Sequence, residues 1–129
     1  MLGDKTIDVY DLSQDRLTAT EISRIDVGSG CDNLYLDKDG SIYSGCHPKL
    51  LKIARLLEDC DNAELQAPSQ ILRLQFDSTY KTPTVTEVYS NDGKEISASS
   101  MAVVYNNKLI IGSVCRNLIE CDIDAPSVL

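Results

Sequence analysis

Two parts of this chain echo each other at a fixed distance, and that repeat limits the fold more than any other feature. Thr20-Glu21-Ile22-Ser23-Arg24-Ile25-Asp26 is similar to Thr86-Glu87-Val88-Tyr89-Ser90-Asn91-Asp92 at an offset of about 66 residues. After a loop, Leu34-Tyr35-Leu36 through Ser41-Ile42-Tyr43-Ser44-Gly45 runs parallel to Val103-Val104-Tyr105 through Leu109-Ile110-Ile111-Gly112, at an offset of about 68. Each copy offers a strand pair, a loop and a hairpin, with units of roughly 6–57 and 69–123. Four-stranded antiparallel sheets repeated in sequence build β-propellers, which need about 4 to 8 blades to close. Two copies therefore make about two blades and not a ring. A single sandwich with coincidentally similar hairpins is the other reading.

Inside both copies, apolar and polar residues alternate with period 2, as half-buried strands require. The alternation predicts an all-β chain with strands at Thr6 to Asp11, Thr20 to Asp26, Asn33 to Leu36, Ser41 to Gly45, Gln70 to Phe76, Thr84 to Tyr89, Met101 to Tyr105, Lys108 to Val114 and Asn117 to Ile123. Asp37-Lys38-Asp39-Gly40, Asn91-Asp92-Gly93 and Asn106-Asn107 supply residues that tolerate positive φ and read as hairpin turns. Pro48 to Glu58 is ambiguous: its propensities favour a helix with Pro48 in the first turn, while Leu51, Ile53 and Arg55 also alternate as a strand does. The polar stretch from Asp59 to Ser69 reads as a loop between units.

Charge narrows the partners. Twenty acidic against 12 basic side chains give a formal net charge of −8, which repels a phosphate backbone, so no nucleic-acid partner is expected. No apolar run reaches the roughly 20 residues of a membrane helix, and Met1-Leu2-Gly3-Asp4-Lys5 lacks the basic and apolar regions of a signal peptide. The five cysteines, at 31, 46, 60, 115 and 121, contain no CxxC, so structural zinc is not favoured. Their odd count leaves a thiol unpaired within the chain: either the compartment is reducing or a partner cysteine lies elsewhere.

Two motifs could carry chemistry. In Gly28-Ser29-Gly30-Cys31-Asp32-Asn33, adjacent Asp and Asn present hard oxygens suited to calcium, but only part of the roughly 6 to 8 such an ion takes. Turn formation or capping is the structural alternative. A regular strand would also send the two side chains to opposite faces. Asp37-Lys38-Asp39-Gly40 has calcium-like spacing but no downstream bidentate Glu, and a turn accounts for it. In Gly45-Cys46-His47-Pro48, His47 is the single histidine, so any imidazole step encoded here uses it. Strand geometry faces it away from Cys46, and no third residue is marked to orient a Cys–His nucleophile. There is no GxSxG elbow, phosphate loop, HExxH helix or N-x-[ST] sequon.

Asp32-Asn33-Leu34, Gly45-Cys46-His47-Pro48 and Lys108-Leu109-Ile110-Ile111-Gly112-Ser113-Val114, followed by Cys121, resemble the paraoxonase/arylesterase family. The likeness runs through almost the whole chain and corresponds to roughly the C-terminal third of that family. It implies a six-bladed β-propeller with calcium in its central tunnel. It implies Asp32 and Asn33 as ligands of the catalytic Ca2+, His47 near the active-site mouth, and Cys46 as a neighbouring free cysteine. Val114 matches a pocket-lining apolar position, and Cys121 the cysteine bridged to one near the family's N-terminus, upstream of Met1. The other calcium ligands and the histidine pair assigned to proton transfer belong to earlier blades.

Two departures stand out. The resemblance favours a strand over Leu50 to Leu56, and places Ala54 and Arg55 where the family has pocket aromatics. Cys31, Cys60 and Cys115 are not family hallmarks.

What the resemblance implies about function is a calcium-dependent hydrolase of aryl esters and lactones, extracellular or membrane-associated, with this chain inert alone. Association with a membrane or lipoprotein would run through an upstream segment. A non-enzymatic, membrane-associated chaperone or assembly factor is the alternative, and a truncated product with exposed blade edges is a third reading.

Overall fold

The nine strands expected from the alternation all form in the structure, a computed structural model that describes residues 4–123. Met1 to Gly3, the start of the stretch read for an export signal, lie outside the described residues. The strands are β1 (Thr6–Leu12), β2 (Ala19–Asp26), β3 (Gly30–Leu36), β4 (Ile42–His47), β5 (Ser69–Gln75), β6 (Thr84–Asn91), β7 (Ser99–Tyr105), β8 (Lys108–Ser113) and β9 (Ile119–Asp122). One helix, α1 (Leu50–Glu58), lies between β4 and β5.

They form three antiparallel sheets: β1-β2, β3-β4-β5-β6 and β7-β8-β9. The sheets are cut differently from the sequence units. The units expected at 6–57 and 69–123 each split between sheets, because the complete four-stranded sheet runs from Gly30 to Asn91. A repeat fixes a period but not the point at which one unit ends, and here the unit begins at β3. β1 and β2 stand before it as a two-stranded sheet, and β7 begins the next.

Two of the three turn expectations hold as hairpins. In Asp37 to Gly40, Gly40 takes φ +84 and the Asp37 N–H donates to the Ser41 carbonyl at 2.8 Å, closing β3 onto β4. Asn106 and Asn107 both take positive φ, 46 and 59, and join β7 to β8 across a two-residue loop. Asn91-Asp92-Gly93 is a turn but not a hairpin, since β6 and β7 lie in different sheets. Gly93 is required there: its φ is +105, and a Cβ would sit 2.8 Å from the Ala67 carbonyl oxygen.

Burial of alternate faces glues the sheets together. Ile71 of β5 packs with Tyr43, Ile96, Ala102, Leu109 and Ile111, joining the second sheet to the third. Leu72 and Leu74 of the same strand pack with Ile7 and Cys46, joining it to the first. Each buried aliphatic contributes roughly 1.5 to 3 kcal/mol, so this alternation holds the sheets face to face.

The segment over Leu50 to Leu56 is helical, against the strand that the resemblance favoured. Leu50, Ile53 and Leu56 fall on one face at three-residue spacing, and Ile53 and Leu56 are buried against Ala67 and Ala98. A strand would have buried Leu51 with Ile53, yet Leu51 is 81% exposed. Lys49 is the N-cap, so Pro48 stands just outside the helix rather than in its first turn. A disulfide from Cys60 to Cys115 ties the end of this segment to the loop after β8. Arg116 clamps the same loop, donating to the carbonyls of Asn62 at 2.9 Å and Leu65 at 2.8 Å.

Candidate functional site

Asp32 and Asn33 lie in β3, opposite β4, where the ladder slips. Cys31 pairs with Cys46 and Leu34 with Ser44, so Asp32 and Asn33 together face Gly45 alone. Two residues against one is a β-bulge, and it re-aims side chains that a regular strand would send to opposite faces. The expectation of opposite directions is therefore corrected: both side chains reach the same hydroxyl, that of Ser100. The Asn33 Nδ2 amide donates to Ser100 Oγ at 2.8 Å, and Ser100 Oγ donates to Asp32 Oδ2 at 2.8 Å.

Ser100 is itself the extra residue of a second bulge. In the β7–β8 ladder Ser99 pairs with Ser113 and Met101 with Gly112, leaving Ser100 without an opposite number. It stands 68 residues after Asp32, which is the repeat offset, so the two bulges occupy matching places in successive sheets. The sequence reading missed Ser100. The offset between the copies was the signal that could have found it.

The main chain beneath the pair is fixed as well. Ser44, fully buried, donates its hydroxyl to the Asn33 carbonyl at 2.9 Å. Gly45 lets β7 come close: a Cβ there would lie 2.5 Å from the Ser100 carbonyl carbon and 2.7 Å from the Met101 nitrogen. Both bulges thus meet across a position where only glycine fits.

His47 ends β4 with 2% of its surface exposed, and its Nδ1 has no hydrogen-bond partner among the described residues. Burial holds the imidazole below the ordinary histidine range, and the charge of Asp32 opposes that shift without cancelling it. The ring is therefore neutral at physiological pH.

Cys46 is not the free thiol that the resemblance implied. It is fully buried and disulfide-bonded to Cys31, its partner in the ladder, which removes any cysteine nucleophile from the site. Cys121 is the free cysteine among the described residues, half-buried in β9. The two disulfides account for Cys31, Cys60 and Cys115, and fit an oxidising compartment. No helix among the described residues is long and apolar enough to cross a membrane. Val114 lies just after β8, exposed, its N–H bonded to the Ala98 carbonyl at 3.0 Å. Ala54 and Arg55, expected at pocket positions, are exposed on the outer face of α1.

The donor set suits a hard cation in part. The bonds to Ser100 use Asp32 Oδ2 and Asn33 Nδ2, leaving Asp32 Oδ1 and Asn33 Oδ1, one carboxylate and one amide oxygen, outside that contact. No group of three or more His, Cys, Asp and Glu gathers among the described residues. A separate cleft of about 610 Å³ lies between the Asp37–Gly40 and Asn106–Asn107 turns, lined by Tyr35, Tyr43, Arg73 and Tyr105. It sits at the other end of β3 and β7 from the bulges.

Comparison with known proteins decides the family. The family model described as Arylesterase matches residues 2–123. The chain belongs to the arylesterase family. Serum paraoxonase/arylesterase 2 of Gallus gallus is 35% identical over 105 residues, 81% of this chain and 28% of that protein. Serum paraoxonase/lactonase 3 of Homo sapiens is 34% identical over 110 residues, covering 84% of this chain and 29% of the relative. For serum paraoxonase/arylesterase 1 of Homo sapiens the figures are 34% over 107 residues, 82% and 28%. This arylesterase-family chain thus spans under a third of the length of the curated relatives it matches. The match reaches across both bulges, His47 and Cys121.

Proposed function

We propose that this chain is the C-terminal portion of a calcium-dependent hydrolase of aryl esters and lactones, built as a six-bladed β-propeller. The single observation that carries the reading is the bulge at Asp32 and Asn33, which brings both side chains to the Ser100 hydroxyl, with Asp32 within electrostatic reach of a buried histidine, in a chain of this family. Three sheets packed face to face support the propeller architecture. Cys121 pairs, in this reading, with a cysteine outside these residues, and the remaining calcium ligands also come from outside them.

Asp32 and Asn33 would hold the ion. When bound, calcium supplies a Lewis acid that polarises the substrate carbonyl and stabilises charge growing on its oxygen. Asp32 draws the ion by direct attraction, while Asn33 adds an oxygen without further charge, which leaves room for an anionic oxygen to approach. His47 adds no competing positive charge, because burial holds it neutral. Val114 would border the substrate. The serum names of the relatives and the two disulfides favour an extracellular or membrane-associated protein, with membrane or lipoprotein contact made outside this chain. The non-enzymatic alternative draws no support from relatives named for esterase and lactonase activity.

The test is hydrolysis of phenyl acetate and of a lactone by a polypeptide that joins this chain to an upstream region of the relatives' length, with and without chelator. Activity lost on chelation and in Asp32→Ala is the expected result. Activity indifferent to both overturns the reading. The 129-residue chain alone is expected to be inert.

A further inference from the structure

We propose that Ser100 is a positioning residue that sets which atoms of Asp32 and Asn33 are presented to a cation. The inference rests on the calcium reading above and adds a residue from the neighbouring sheet to it.

A hydroxyl has one proton to give and lone pairs to receive with. Ser100 gives its proton to Asp32 Oδ2 and receives one from Asn33 Nδ2. Both choices have a directional consequence. An asparagine amide can turn by half a revolution and exchange its oxygen for its nitrogen; with Nδ2 held by Ser100, Oδ1 is forced to the free side. With Oδ2 of Asp32 engaged, Oδ1 is the oxygen left for an ion. A cation-repelling NH2 group is thereby kept on the Ser100 side, away from the face that Asn33 Oδ1 occupies.

The arrangement is built into the backbone rather than left to one rotamer. Ser100 is the unpaired residue of its bulge, Asp32 and Asn33 form the opposing one, and glycine at 45 permits the approach. Ser44 holds the Asn33 main chain from the other side. Partners of this kind, which touch the ligand rather than the metal, typically change metal affinity by roughly 10- to 100-fold when removed.

Terbium(III), which takes the oxygen sites of calcium, is the probe: its luminescence is titrated into the polypeptide that joins this chain to an upstream region of the relatives' length, and into its Asp32→Ala, Ser100→Ala and Ser100→Thr variants. In parallel, the side-chain NH2 resonances of Asn33 are followed by 15N NMR without metal. Asp32→Ala is expected to abolish binding, Ser100→Ala to weaken it by about 10- to 100-fold, and Ser100→Thr, which keeps the hydroxyl, to restore it. The Asn33 NH2 signals should shift and exchange faster in Ser100→Ala and return in Ser100→Thr, a signature that general destabilisation does not produce. Terbium bound equally by the parent and Ser100→Ala, but lost in Asp32→Ala, overturns the role of Ser100 and leaves the calcium reading standing. Binding that Asp32→Ala does not alter overturns the calcium reading and the cation role of Ser100 with it. Asn33 signals indifferent to Ser100→Ala overturn the orienting bond itself.

Discussion

Gly45 and Ser100 lie in different sheets, 55 residues apart in sequence, with so little space between them that a single methyl on Gly45 would fall 2.5 Å from the Ser100 carbonyl carbon. No real Cβ makes that contact, and the obstacle is backbone rather than a side chain that can swing away. Gly45→Ala should therefore push β7 off β4. We expect a loss of about 1 to 3 kcal/mol, the range of overpacked cores, read from the urea midpoint. Ser99→Ala, a buried hydroxyl beside the same contact, serves as the comparison and should cost less. A Gly45→Ala chain as stable as the parent would show that the sheets do not meet here.

Acidification should weaken the fold through His47. Its pKa in the folded chain is lowered by burial, so below about 6.5, the ordinary value, the unfolded chain binds a proton that the folded chain refuses. The unfolded state then holds more protons, and stability rises with pH across that window. Stability contributed in this way is complete above 6.5 and lost as pH falls toward the folded-state value. Urea midpoints at about pH 7.5 and 5.5, a range above most carboxylate titrations, should differ in the parent and differ less in His47→Gln. An equal pH response in both would place the effect elsewhere.

Without reductant, unfolding and alkylation should modify one cysteine, Cys121, identified by peptide mass. Cys31, Cys46, Cys60 and Cys115 should stay protected as the two disulfides. In the native chain Cys121 should react slowly, because burial pushes its thiol pKa up and the carboxylates of Glu95, Asp122 and Glu120 push it further. Alkylation of Cys46 would restore the free thiol that the family likeness implied.

Arg73 is buried in β5, donating from Nη2 to Asp39 Oδ2 and from Nε to Ser41 Oγ, both at 3.0 Å, and lying over the ring of Tyr43. Removing the cation leaves the Asp39 carboxylate with only the Ser41 N–H and hydroxyl as partners among the described residues. Arg73→Met should cost about 3 kcal/mol by the usual penalty for breaking a buried pair. Arg73→Met combined with Asp39→Asn should recover part of it. A double variant no better than the single one would mean that packing around the arginine, not its charge, sets the cost.

Local order in this chain was written in residue types. Alternation at period 2 marks each strand because burial of one face acts on residues two apart, and Asp39-Gly40 and Asn106-Asn107 mark hairpins because positive φ is a property of the residue. For the same reason Asp32, Asn33 and His47 could be picked out as a candidate constellation from the text alone. The likeness of two segments 66 to 68 residues apart disclosed a repeated sheet architecture without any coordinate.

Pairing over distance was not legible. Where one sheet stops and the next begins depends on which strand edges gain ladder bonds, and a periodic pattern is the same from any starting point; hence the sheet from Gly30 to Asn91 cuts across the repeat. Helix against strand at Leu50 to Glu58 was balanced locally and was settled by the apolar surface of Ala67 and Ala98, supplied from elsewhere in the chain. The bulges that turn Asp32 and Asn33 together, the disulfide between Cys31 and Cys46, and the hydroxyl of Ser100 all follow from strands meeting in register across a folded interface. Sequence alone determined the strands, the turns and the chemical types at the site. Tertiary structure decided which atoms face one another, because that is fixed by contacts whose free energy exists only once distant segments have come together.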